Sequence, residues 1–418
     1  MTAEPQVAEL LGRLASGAVP AAEAVAERLD ALHRVHAGTG AVASFADERA
    51  LTDAARLDRA FAAAGPVGPL HGLPVTVKDW IDVEGFPCAG LTGRTDRHPG
   101  VDATAVARLR AAGAVVVAKT RPWGRVRHPL DPARTVGGSS SGEAAAVAAG
   151  ASPLGLGSDS GGSIRLPAAW AGACGLKPTT GRVPGTGHFP RIGALSDGRT
   201  QVGPLAADVA TLELALSVIS GPDGVDAGVP PVPLAGSAAV RPDGLRVAVA
   251  GGSAAWRPAP EVLAAVERAA ATLEAAGARR VPWPLDWLPD AWEITRGYWA
   301  RATGRPGLTG ADVQRQLWDW DRFRTRALRA MAGVDVLVMP VALRTAPPHD
   351  EPDDLEAFVC TLPASLSGSP ALALPVGADA AGLPLAVQLV GRPWEDHVVL
   401  AAGRIIERGA TSPTGGTG

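Results

Sequence analysis

The amino-acid sequence predicts an α/β fold, a sheet of buried strands with helices packed outside it. Two observations carry this expectation. Short, mainly apolar runs such as VVVA at residues 115–118, LRVAV at 245–249 and DVLVM at 335–339 alternate with longer segments of helical period. Strands apolar along their length belong in a sheet covered on both faces, and helices are what cover it. Composition agrees: of 418 residues, 46% are hydrophobic and 19% charged, enough to close a sizeable core.

Residues 6–64 read as helices, because Val7, Leu10, Leu11 and Leu14 recur at helical spacing. Pro20 and the Gly-containing stretch 38–40 punctuate them. Residues 73–77 (LPVTV) read as a short buried strand that ends at Lys78. An amphipathic helix over 102–112 leads into the strand at 115–118. Residues 135–205 differ, being rich in Gly, Ser and Thr with little periodicity, and a long irregular stretch inside a compact domain is usually functional. Regular structure resumes with strand 245–249, helix 260–276, strands 335–339 and 386–390, and a closing helix 395–408. The Pro- and Gly-rich stretch 221–243 reads as a surface connection, and the tail from Gly409 as disordered.

Several functional classes are disfavoured. The net charge of -3 leaves no basic excess to neutralise phosphates, so nucleic acid is not expected as a partner. Cys88, Cys174 and Cys360 lie far apart and form no CxxC pair, and no HExxH pattern exists, so no metal site is expected. His33 and His36 read as a solvated helix face. The N-terminus lacks a basic region followed by an apolar one, and the Ala-rich run at 143–151 is too short to span a bilayer. A cytoplasmic protein with no membrane partner is the expectation.

Three segments carry chemistry: GLPVTVKD at 72–79, GGSSSGE at 137–143, and GLGSDSGGSIR at 155–165. A lysine closing a buried strand loses hydration, which disfavours its ammonium and leaves a neutral amine, a base. Ser140 followed by Glu143 fits a capping box, so a helix is expected to start there. Ser160, Gly161, Gly162 and Ser163 offer successive backbone N–H groups with little side-chain bulk, able to converge on one oxyanion beside a nucleophilic serine. Each segment alone is weak. The glycine-rich loop could bind phosphate, although no GK[ST] makes it a Walker A loop. Residues 138–142 also match the G-x-S-x-G elbow of α/β-hydrolases, with Ser140 as nucleophile and Asp396 or His397 as later members, but that elbow needs a strand before it and residues 131–135 (DPART) are not one.

Together and in this order, the segments resemble the amidase signature family. The resemblance rests on GGSSSGEAAAVAAG, then PLGLGSDSGGSIRLPAAWAGACGLKPTTGRVP, with HGLPVTVKDWIDVEGFP and RLRAAGAVVVAKT upstream and DVLVMPV, SLSGSPALALPVG and GLPLAVQLVGRPWEDHVVL downstream. It implies a single α/β/α sandwich domain around a large mixed twisted sheet over residues 1–408. Within that span it implies N-terminal helices at 6–64, a catalytic core at 70–215, a variable Trp-rich region at 250–330 and a closing segment at 335–408, before the tail at 409–418. It implies hydrolysis of a small-molecule amide through an acyl-enzyme. Ser163 is the nucleophile, Ser139 the relay across a cis Gly138–Ser139 peptide, and Lys78 the base. The N–H groups of Ser160, Gly161, Gly162 and Ser163 form the oxyanion hole. Ser140, Asp159 and Arg165 support the loop. No metal or organic cofactor is implied, and a homodimer is one option.

The sequence departs from the family after Lys119-Thr120, where RPWGRVR reaches Gly137 quickly, and at Trp80, where a smaller polar residue is usual. Trp80 and Trp123 are therefore candidates to line the acyl site, against simple packing. Trp283, Trp287, Trp292, Trp299, Trp318 and Trp320 crowd one region with Tyr298, as a pocket wall, a core or an interface. Within the family, an acyltransferase or the ammonia-supplying subunit of a transamidation complex are alternatives. The stretch GRVPGTGHFPRIGALSDGRTQVGPL does not closely resemble the glutamine-site stretch of such subunits. A non-catalytic family member is a further alternative.

Overall fold

The computed structural model describes residues 4–90, 96–123, 126–192, 197–302, 307–351 and 354–411. The N-terminal helices are α1 (Glu4–Ala15), α2 (Ala21–Thr39) and α3 (Asp47–Ala64), with a strand between the last two, β1 (Val42–Phe45), that the helical period concealed. Then come β2 (Pro74–Lys78), α4 (Thr104–Ala111), β3 (Val115–Thr120), α5 (Ser141–Ala148), β4 (Leu154–Asp159), α6 (Arg165–Ala171), β5 (Cys174–Lys177), β6 (Gln201–Ala206) and α7 (Val209–Ile219). The second half holds β7 (Arg246–Val249), α8 (Pro260–Ala275), β8 (Arg279–Arg280), α9 (Leu288–Ala302), α10 (Gly310–Met331), β9 (Val336–Pro340), α11 (Leu362–Ser367), β10 (Ala371–Ala378), β11 (Pro384–Val390) and α12 (Asp396–Thr411).

The strands form one 11-stranded sheet in the order β1-β3-β2-β4-β6-β5-β10-β11-β9-β7-β8. β2 runs parallel to both β3 and β4, and β7 parallel to β8 and β9. The strands between these groups pair antiparallel, so the sheet is mixed. Alternate side chains serve opposite faces. Val75, Val77 and Val116 belong to an apolar core that also holds side chains of α4, α7, α8 and α12, while Val115 and Val117 belong to one shared with α2 and α3. Farther along, Leu337 and Met339 share a second core with Leu166, Phe323 and Leu362 from α6, α10 and α11. The result is a single α/β/α domain. Among the described residues no helix is long and apolar enough to cross a membrane.

Two expectations need correction. Residues 135–205 are not an irregular stretch, since they contain α5, β4, α6, β5 and β6. The strand β4 reads LGLGSD, with glycines where apolar side chains would have revealed it. Gly155 has a packing reason: a Cβ there would lie 2.1 Å from Glu143 Oε2. The second correction concerns the tail. Residues 409–411 continue α12, and the rest of the expected disordered segment, 412–418, lies outside the described residues.

Candidate active site

Parallel neighbours β2 and β4 end at Lys78 and Asp159, so the two side chains leave the sheet at the same edge. Beyond the carboxyl ends of parallel strands is where α/β sheets hold their sites. The start of α5 brings Ser139, Ser140 and Ser141 to this edge, and the turn after β4 brings residues 160–164. The Gly138–Ser139 peptide is cis. The Ser140 N–H donates to the carbonyl of Ser163 at 3.0 Å, tying the two segments together.

Lys78 has no exposed surface. Its Nζ lies 2.6 Å from Ser139 Oγ, 3.2 Å from Ser140 Oγ, 3.2 Å from Ser158 Oγ and 3.3 Å from the Ser158 carbonyl. Burial lowers its pKa to about 7, against the opposing pull of the Asp159 and Glu143 charges. A neutral amine is therefore available near neutral pH. The Trp80 ring centroid is 4.3 Å from Nζ.

The capping box expected at Ser140 and Glu143 does not form, because both side chains are used elsewhere. The Ser140 hydroxyl donates to the Ser158 carbonyl at 3.3 Å. The Glu143 carboxylate accepts from Thr76 at 2.5 Å and Thr120 at 2.6 Å, fastening α5 to β2 and β3. Burial raises the Glu143 pKa to about 7, although these hydrogen bonds and the Lys78 charge oppose the shift.

The turn after β4 is organised by a fully buried ion pair. Asp159 accepts from Arg165 Nε at 3.0 Å and Arg165 Nη2 at 3.1 Å, and from the N–H groups of Gly162 at 2.7 Å and Ile164 at 3.1 Å. Arg165 also donates to the Thr361 carbonyl at 2.8 Å, Gln388 Oε1 at 2.9 Å and Ser365 Oγ at 2.8 Å. Burial pushes the Asp159 carboxyl up, but the Arg165 charge and these hydrogen bonds hold it below the usual carboxylate range. Gly162 has φ 136°, and a Cβ there would lie 2.2 Å from Thr361 Oγ1. Of the four N–H groups expected to face an oxyanion, that of Gly162 points to Asp159 instead. Among the described residues, those of Ser160, Gly161 and Ser163 meet no protein acceptor. Ser139 and Ser140 are buried, whereas Ser160 and Ser163 keep partial exposure.

Trp80 and Trp123 have different neighbours, Lys78 and His188 for the first and Gly138 and Ser139 for the second. Trp123 has φ 55°, lies over Gly138, and donates its N–H to the Ser139 carbonyl at 3.3 Å. With Leu166, Trp170 and Phe358 it lines a cavity of about 400 Å³ that reaches the Gly138 backbone. Trp80 does not line that cavity, and faces His188 edge-on at 6.1 Å between ring centroids. The Trp-rich region is mostly core: Trp287 is buried against Phe323, and Trp283 packs on Trp287 at 4.9 Å. Trp318 is 58% exposed. Trp299 approaches the turn, its Cζ2 lying 3.7 Å from where a Gly161 Cβ would be.

Sequence reading missed Ser158, His188 and Thr361. Ser158 lies on β4, a strand its sequence concealed, and the other two carry no local signal because tertiary folding brings them in. The α/β-hydrolase alternative finds no support here. No strand directly precedes Ser140, and Asp396 is occupied by Thr179 at 2.7 Å and Arg182 at 3.2 Å. Among the described residues no group of three or more His, Cys, Asp or Glu side chains could hold a metal ion.

Comparison with known proteins sets this geometry in a family. The family model described as Amidase matches residues 23–309 and 308–400. A glutamyl-tRNA(Gln) amidotransferase subunit of Synechococcus sp. (strain CC9605) is 32% identical over 95% of this chain and 95% of its own length. The AtzE subunit of 1-carboxybiuret hydrolase from Pseudomonas sp. (strain ADP) is 32% identical over 96% of this chain and 97% of its own. A solved structure described as a vestigial protein complex revealing the evolutionary origins of an s-triazine catabolic enzyme superimposes with a TM-score of 0.86. It is 30% identical and covers 96% of this chain and 98% of its own.

These relatives overturn one expectation, that a small-molecule amide is the partner and nucleic acid plays no part. The amidotransferase subunits, including those of Thermosynechococcus vestitus and Symbiobacterium thermophilum at 33% identity, carry a tRNA, glutamyl-tRNA(Gln), in their name. The net charge of one chain reports only on its own surface, not on the substrates of an assembly in which such a chain serves. The match of fold, length and motif leads to one conclusion: this chain belongs to the amidase signature family and is an enzyme of amide-bond hydrolysis.

Proposed function

We propose that the chain cleaves a carboxamide to acid plus ammonia or amine through an acyl-enzyme on Ser163. The observation that carries this reading is the 2.6 Å approach of the buried, deprotonable Lys78 to Ser139 Oγ. In this reading Ser163 attacks the carbonyl carbon and gives its proton to Ser139 Oγ, which passes its own to the Lys78 amine. The oxyanion is met by the N–H groups of Ser160, Gly161 and Ser163, with Gly162 holding the turn. The C–N bond then breaks, the proton returns from Lys78 through Ser139 to the leaving nitrogen, and water frees the acid. Ser140, Asp159 and Arg165 keep the supporting role, and a cytoplasmic setting belongs with this reading.

The setting best supported is an ammonia-supplying subunit of a transamidation-type complex, because the relatives include many amidotransferase subunits and a second complex subunit. A free-standing amidase is the second reading, favoured by a solved amidase structure at 31% identity, with a TM-score of 0.80, that this chain covers over 99% of its length. Release of ammonia or amine from a panel of carboxamides that includes glutamine tests both. Turnover that disappears in Ser163→Ala supports the chemistry. Turnover by the isolated chain favours the free-standing reading, and turnover only with a co-purified partner favours the subunit. Full turnover in Ser163→Ala overturns the proposal.

A further inference from the structure

The Lys78 amine has four oxygens around it, three hydroxyls and a carbonyl, and its lone pair can accept a proton from only one hydroxyl. Which one depends on where the neighbouring hydroxyl protons point, and those can be traced outward. His188 is 6% exposed, and its Nδ1 lies 2.8 Å from the Pro190 carbonyl. A carbonyl only accepts, so Nδ1 carries the ring proton and Nε2 is left as an acceptor. Nε2 lies 2.9 Å from Ser158 Oγ, so the Ser158 hydroxyl donates to His188. Ser158 Oγ can then only accept from Lys78, at 3.2 Å. Ser140 is settled in the same way: its hydroxyl donates to the Ser158 carbonyl, so its oxygen accepts from Lys78, also at 3.2 Å. A neutral amine has two N–H bonds. They are shared among Ser140 Oγ, Ser158 Oγ and the Ser158 carbonyl, none of which has a proton to give the amine, and the lone pair is left facing Ser139 Oγ at 2.6 Å.

Building on the catalytic reading above, we infer that His188 is a positioning residue that acts through the Ser158 hydroxyl to aim the Lys78 lone pair at Ser139. The imidazole is held for this task. The His188 N–H donates to the Gly185 carbonyl at 3.0 Å, and His188 bridges to Ile81. The Phe189 N–H donates to the Trp80 carbonyl at 2.7 Å, and the Asp82 N–H to the Gly187 carbonyl at 2.8 Å. The histidine is thereby pinned to the segment that follows Lys78 directly. Burial keeps the ring neutral, its pKa lowered to about 4, so Nε2 stays an acceptor wherever Lys78 can act as a base. Without His188 the Ser158 hydroxyl is free to turn and donate to the amine, competing with Ser139 for the lone pair. Ser158 sits beside the aspartate of the motif, but His188 arrives from a different loop and has no counterpart in the three-residue triad.

The test is steady-state kinetics on the full chain (with its partner, if turnover requires one) for His188→Ala, His188→Gln, Ser158→Ala and the double variant His188→Ala/Ser158→Ala. Ser163→Ala is the control, and all are assayed at a temperature where melting curves show them folded. The expected result is a fall of about 10- to 100-fold in kcat for His188→Ala with KM within about threefold, the size of a lost orienting hydrogen bond. Partial recovery is expected in His188→Gln, whose amide offers both an acceptor and a donor. Adding His188→Ala to Ser158→Ala should cost nothing further, because the two act through one hydroxyl. Additive losses in the double variant, or wild-type kcat in His188→Ala, would overturn the inference. If Ser163→Ala is inactive while His188→Ala matches wild type, only the inference fails; if Ser163→Ala is fully active, the catalytic reading itself fails.

Discussion

Two strands of the sheet, β2 and β5, each end in a fully buried lysine, Lys78 and Lys177. Burial lowers the pKa of both to about 7. Their neighbours are different. Lys78 is ringed by three serine hydroxyls and a carbonyl, while Lys177 donates to the Pro178 carbonyl at 2.8 Å and faces the like charge of Arg165. Desolvation makes a neutral amine in either place. Only at Lys78 is there a hydroxyl at 2.6 Å whose proton that amine can take.

The sharpest way to break this comparison is to replace each lysine by methionine. Lys78→Met should lower kcat by about 10⁴-fold or more, as loss of a member of a coupled triad does. Lys177→Met should leave kcat within about threefold. In the wild type, kcat/KM should rise with pH through about 7 and then level, because the base is the unprotonated amine. Lys177→Met should keep that limb. A limb that vanished in Lys177→Met would assign it to the wrong lysine.

The next largest effect concerns the pair that braces the turn. Asp159→Asn leaves the Arg165 guanidinium fully buried without its counter-charge, so unfolding in urea should show a loss of about 3–5 kcal/mol. The sign with pH follows from the lowered carboxyl. The pair's stabilisation is complete above the unfolded value of about 4 and is lost as pH falls through the lower folded value. In the Asp159→Asn variant that acid-side dependence should flatten. Gly162→Ala comes third: φ 136° and the Thr361 contact should cost about 1–3 kcal/mol in unfolding free energy and reduce turnover by distorting the turn. Trp123→Ala should give the smallest effect, a shift of about tenfold in the kcat/KM ratio between bulky and small amides with little change in melting temperature. An unchanged ratio would remove the cavity beside Gly138 from the acyl site.

The lysine, the serines and the glycine-rich turn were legible in the sequence because they lie on three contiguous segments with fixed spacing. The strands with uniform apolar runs, β2, β3 and β9, were legible too. The strand β4 was not, since its glycines make room for Glu143 and Ser140 and so remove the apolar pattern that marks a strand. Ser140 and Glu143 looked like a helix cap, yet tertiary partners claimed both side chains. His188 and Thr361 reach the site from loops distant in sequence, a proximity that spacing along the chain does not encode.

The most direct measurement is trapping of the acyl-enzyme: mix the protein with an activated amide or ester at neutral pH, quench in acid, and locate the adduct by peptide mass spectrometry. The predicted result is an acyl group on the peptide containing Ser163, absent in Ser163→Ala and formed far more slowly in Lys78→Met. An adduct on another residue, or acylation of Ser163 at an unchanged rate without Lys78, would contradict the Lys78–Ser139–Ser163 relay.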